Sequence, residues 1–80
     1  MNRRNNIPLT DVPIKKLVKL VSIDGGHSLK YRLVELGLTP GIIFKIVQNS
    51  GGPLIINVRN SKIAIGKGMA EKLMVDLVDI

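Results

Sequence analysis

Apolar positions along this chain alternate with a period of two in most segments and with a period near 3.6 in one. Residues 17–23 (LVKLVSI) are rich in β-branched side chains and too few for a helix, so they read as a strand. Val18 and Leu20 share one of its faces and Val21 and Ile23 the other, which predicts a bulge or burial on both sides. Residues 42–48 (IIFKIVQ), 54–58 (LIINV) and 62–65 are the next strands. A turn at Gly51-Gly52-Pro53 separates the first two, and a tight hairpin over Arg59-Asn60-Ser61-Lys62, with Asn60 at positive φ, separates the last two. In the fifth strand, 73–78, Leu73, Val75 and Leu77 alternate inward against an outward Asp76. Thr10-Asp11 before Pro13 reads as a turn or single helical turn, and 67–72 as another such turn.

From His27 the period changes. Leu29, Leu33 and Leu36 recur at i, i+4 and i+7 with Val34 at the shoulder, which predicts a short α-helix over about 27–36 whose leucine stripe is core. Lys30, Tyr31, Arg32 and Glu35 fall on its other side. Gly37 stands where a helix C′ residue takes positive φ, Leu38 can fold back in a Schellman cap, and Pro40-Gly41 forces a reversal. Gly37, Leu38, Pro40 and Gly41 thus make a structural corner that aims the helix onto the next strand. About five strands and one helix predict a mainly β domain, a small barrel whose closure protects its edges. With Phe44, Ile46, Leu54, Ile56, Val58, Ile63, Ile65, Leu73, Val75 and Leu77 inside, there is an apolar surplus in Ile43, Val47, Ile55, Met74 and Val78. Some of that surplus must be covered or offered to a partner.

Composition narrows the picture. Eighty residues, 45% hydrophobic, suffice for one core and no more. Residues 1–6 (MNRRNN) are polar and basic and read as a mobile tail, with a single domain over 7–80. No cysteine is present, which removes disulfides and thiolate zinc sites and suits a reducing compartment, so a cytoplasmic location is expected. No apolar run approaches the ~20 residues that span a bilayer, and MNRRNN lacks the apolar stretch of a signal peptide. The net charge of +6 attracts nucleic acid, anionic headgroups or an acidic protein surface alike. Stacking aromatics are scarce, since Tyr31 and Phe44 stand alone beside His27, which weighs against nucleic acid.

The order of landmarks resembles the FeoA family, small cytoplasmic accessory proteins of bacterial ferrous-iron uptake. The carriers of the resemblance are an apolar strand running into Ile23-Asp24-Gly25-Gly26 and the helix and corner RLVELGLTPG from Arg32 to Gly41. The hairpin over 54–65 and Ala70-Glu71-Lys72 before the last strand add to them. Together they cover about 9–78. The resemblance implies an SH3-like barrel, a family-level link to transition-metal ions, no catalytic activity, and a role beside the membrane transporter FeoB. The chain departs from the family's habit at Gly66-Lys67-Gly68 and in the apolar Ile55. The same barrel forms the C-terminal domain of metal-dependent repressors, whose DNA-binding helices this chain lacks.

Candidate chemistry is sparse. Asp24 and His27, three apart, with Glu35 as a third, form a conceivable Fe(II) ligand set, but Asp24 or Ser28 reads more simply as a helix cap. The glycines of 24–27 match neither GxxxxGK[ST] nor GxGxxG, so no nucleotide site is expected. One histidine and no thiol leave little for nucleophilic catalysis. Sparse chemistry thus agrees with what the FeoA resemblance implies: a non-catalytic adaptor, without a cofactor or metal site of its own, that is expected to dock on the cytoplasmic side of FeoB and modulate it. The expected contact residues are Tyr31, Lys30, Arg32, Lys15, Lys16 and Lys19, with Ile55 and Met74 from the apolar surplus. The alternative is a small basic nucleic-acid-binding barrel, or one related to metal-dependent regulators. Whether copies self-associate stays open.

Overall fold

The computed structural model describes residues 6–78. The expected tail over 1–6 lies outside the described residues except for Asn6. Six strands form one antiparallel sheet: β1 (Ile7–Pro8), β2 (Leu17–Ile23), β3 (Ile43–Gln48), β4 (Leu54–Val58), β5 (Ser61–Ile65) and β6 (Leu73–Leu77). Their spatial order is β1-β6-β2-β3-β4-β5. The helix α1 is His27–Glu35, and a single turn α2, Lys67–Ala70, precedes β6.

One strand went unread in the sequence. Ile7 and Pro8 pair with Val75 and Met74 of β6, too few residues to leave a periodic signal. A 3₁₀ turn, Leu9–Asp11, follows at once and sends Leu9 and then Val12 into the core. Two adjacent strands carry the predicted inward sets. Val18 and Leu20 of β2 are buried against Phe44 and Ile46 of β3. The bulge falls between Leu20 and Ser22, where the pairing with β6 slips by one residue and Val21 is turned outward.

The leucine stripe of α1 needs correction. Leu33 is fully buried and Leu29 half-buried, but Leu36 is 40% exposed. Leu36 is already the C-cap residue, and the core slot that it would have filled belongs to Leu38, which the corner folds back to zero exposure. The corner is a Schellman motif: Leu38 N–H donates to Leu33 C=O at 2.8 Å and Gly37 N–H to Val34 C=O at 2.9 Å. Gly37 has φ +88.

A turn follows over residues 39–42, with Ile42 N–H on Thr39 C=O at 3.0 Å, Pro40 in its second position and Gly41 at φ +96, as a type II turn demands. Gly41 N–H then donates to Leu20 C=O at 2.7 Å, and Leu20 N–H to Ile42 C=O at 2.9 Å. The corner thus clamps the chain onto β2 beside the bulge, which fixes where α1 lies on the sheet.

The second hairpin is tighter than expected. Val58 pairs with Ser61 around Arg59 and Asn60, at φ 51 and 67, so β5 begins at Ser61 and the loop is a two-residue turn with both central residues left-handed. Ile63 and Leu77, placed inside by parity, are half-buried because they lie at the margin of the sheet. Leu9, Val12 and Ala70 take interior space that alternation within the strands did not assign.

Candidate docking surface

Helix α1 presents its buried stripe to the sheet and a second face to solvent. At 100° per residue, His27, Lys30, Tyr31 and Val34 fall on that second face. They line a shallow groove of about 420 Å³. A second groove, about 280 Å³, runs from Lys30 and Val34 to Val21, Ser22 and Ile23 of β2 and to Pro40 of the corner. Lys30 and Val34 belong to both, so the two grooves form one continuous surface across the seam between α1 and β2. Tyr31 is 75% exposed, Val34 48% and Val21 38%, and every lining residue other than Lys30, His27 and Ser22 is apolar or aromatic.

The local cause of this surface is visible in the backbone. The bulge turns Val21 outward, the type II turn presents Pro40, and the Schellman cap sets the end of α1. Apolar side chains left in water cost free energy that a partner can recover, and a tyrosine with one amphipathic ring loses little entropy on becoming an anchor.

The structure divides the contact residues expected from sequence. Tyr31 and Lys30 are in the groove. Arg32 is exposed but turned roughly 100° from Tyr31 about the helix axis, and it lines neither groove. Lys19 lies on the outward face of β2, paired in register with Ile43, while Lys15 and Lys16 sit in the turn before β2, beside Ile46 of β3. Met74 is half-buried opposite Ser22, at the margin of the groove; Ile55 is half-buried on β4, with β2 and β3 between them. Sequence reasoning missed Val34, Val21, Pro40 and His27 as partners of Tyr31. Val34 was assigned to the shoulder of the core stripe, His27 lies one helical turn before Tyr31 on α1 and was weighed only as a metal ligand, and Val21 and Pro40 come from segments that the corner brings to Lys30 and Val34.

The conceivable iron ligands do not converge. His27 and Glu35 are eight residues apart on α1, roughly 12 Å along its axis. Among the described residues no three His, Asp or Glu side chains group to hold a metal ion. Neither Asp24 nor Ser28 caps the helix; its N-cap is Gly26, with no side-chain bond to the first turn. Among the described residues no polar or charged side chain is buried.

The family model of the FeoA domain matches residues 7–77. This chain belongs to the FeoA family. The FeoA domain here is 44% identical over 54 residues to a Methanocaldococcus jannaschii protein described as "Putative Fe(2+) transport protein A". That match covers 68% of this chain and 66% of the archaeal protein, a little under two thirds of the latter's length. A crystal structure titled as an iron uptake regulatory protein (FeoA) is similar at a TM-score of 0.83 and 39% identity, covering 90% of this chain and 96% of that one. The manganese regulator SloR is similar at a TM-score of 0.82 but 12% identity, and the match spans 90% of this chain and 34% of SloR. At that identity the fold alone is shared. The fold of this FeoA domain is the small SH3-like one, and its family is associated with ferrous-iron transport. No helix among the described residues is long and apolar enough to cross a membrane.

Proposed function

We propose that this FeoA domain is a non-catalytic accessory of ferrous-iron uptake that works by docking on the cytoplasmic side of the FeoB transporter and modulating it. The observation that carries the reading is the continuous apolar groove between α1 and β2, with Tyr31 and Val34 exposed along it and Lys30 at the junction. A shallow, largely apolar surface of this kind has the composition of an interface core, and it holds no paired acid and base or activated nucleophile. Burial of Tyr31, Val34 and Val21 supplies affinity. Lys30 steers encounter with an acidic or mixed surface and contributes modestly to the final affinity.

Surface plasmon resonance against the soluble GTP-binding domain of FeoB, and against the full transporter in detergent, tests the proposal. Tyr31→Asp and Val34→Asp are expected to speed dissociation at least tenfold, and Lys30→Glu to slow association and flatten its salt dependence. Absence of binding to either form at tens of micromolar overturns the reading.

A further inference from the structure

The outward face of the sheet carries a second surface of different chemistry. Leu17, Lys45, Asn57 and Lys62 are successive register partners across β2, β3, β4 and β5, so they form one row on the side away from the core. Lys19 lies two residues along β2 from Leu17 on the same side, opposite Ile43. Lys15 and Lys16 stand at the rim of this face, where Lys15 N–H donates to Ile46 C=O at 2.6 Å and Lys16 C=O accepts from Ile46 N–H at 3.3 Å. All five lysines are exposed. The carboxylate in register with them is Asp76, opposite Lys19, half-buried and already accepting the Asn6 N–H at 2.7 Å.

We propose that this face docks on an anionic phospholipid bilayer. Three properties select that partner. The lysines are spread over three strands and the turn before β2, with Lys45 and Lys62 two strand spacings, roughly 10 Å, apart, so the set as a whole matches a plane of headgroups better than one phosphate. The charge is accompanied by bare branched aliphatics, Ile14 at 45% exposure beside Lys15 and Ile43 at 49% beside Lys19. Such side chains enter the interfacial region of a bilayer and find nothing to enter on a phosphodiester backbone. The face also carries no aromatic ring on which a base could stack, since Phe44 is buried and Tyr31 belongs to the helix surface.

Flotation with protein-free vesicles tests this independently of any transporter, so its failure is separate from failure of the FeoB reading. Binding is expected to vesicles containing phosphatidylglycerol, to be absent from pure phosphatidylcholine, and to fall steeply as salt is raised. Lys45→Glu with Lys62→Glu should weaken it at least tenfold, Lys45→Arg with Lys62→Arg should restore it, and Tyr31→Asp should leave it unchanged; circular dichroism melts verify that each variant is folded. Equal binding to neutral and anionic vesicles, or an unweakened double glutamate variant, overturns the proposal. So does tighter binding to a DNA or RNA oligonucleotide than to vesicles of equal phosphate content, which would assign the face to nucleic acid.

Discussion

The two sides of α1 use neighbouring residues for opposite purposes. Leu33 is fully buried, while Val34, the next residue, stands 48% exposed beside Tyr31. A helix of nine residues has little stability of its own, so its existence depends on what the inner side buries and on how its end is closed. The outer side is then free of structural duty. Stability and docking are thus separated within one turn of helix, and substitutions on the two sides should affect different measurements.

The largest effect is expected on the inner side. Leu38→Ala removes a side chain with zero exposure that the corner folds against Leu33, and should cost about 2–5 kcal/mol, much of the total stability of a small domain. Chemical denaturation would register it as a lower midpoint with an unchanged slope. The closure itself comes next. Gly37→Ala places a Cβ at φ +88 with no neighbouring atom in its way, so the penalty is purely conformational, about 1 kcal/mol. An unchanged melting temperature would contradict the assignment of the Schellman closure as the device that ends α1.

Another left-handed turn sharpens the point with the opposite sign. Arg59 holds φ 51 in the two-residue hairpin turn without being glycine or asparagine. Arg59→Gly should therefore raise stability by a few tenths of a kcal/mol, relief of strain being partly offset by the entropy of glycine in the unfolded chain. The smallest effect is expected on the outer side. Tyr31→Ala should move stability by less than about 0.5 kcal/mol, as exposed positions usually do, while weakening capture of the transporter. A large loss of stability there would show that Tyr31 has a structural role and break the separation of the two sides.

Much of this was legible in the chain. Alternation found five of the six strands, the bulge in β2 followed from the conflict between Val18–Leu20 and Val21–Ile23, and Gly37 with Pro40-Gly41 announced both turns after the helix. What failed did so for identifiable reasons. A two-residue strand has no period, and β1 is held by β6 rather than by its own pattern. Leu36 matched the stripe by spacing, but the stripe rule assumes a continuing helix, and Leu36 is where this one ends.

Local rules, namely side-chain alternation, helical period and the demand for glycine at positive φ, depend only on near neighbours in the chain, so the sequence by itself determined five of the six strands, the helix, the corner and the family. Which apolar residues remain in water depends on what lies across from them, and that is decided only when distant segments meet. The bonds of Gly41 and Ile42 to Leu20 bring Pro40 and Val34 beside Val21, and the register Leu17–Lys45–Asn57–Lys62 gathers lysines from separate strands onto one face. Tyr31 could be named from the chain alone, but the groove in which Val34 meets Val21, Ile23 and Pro40 was supplied by the tertiary structure.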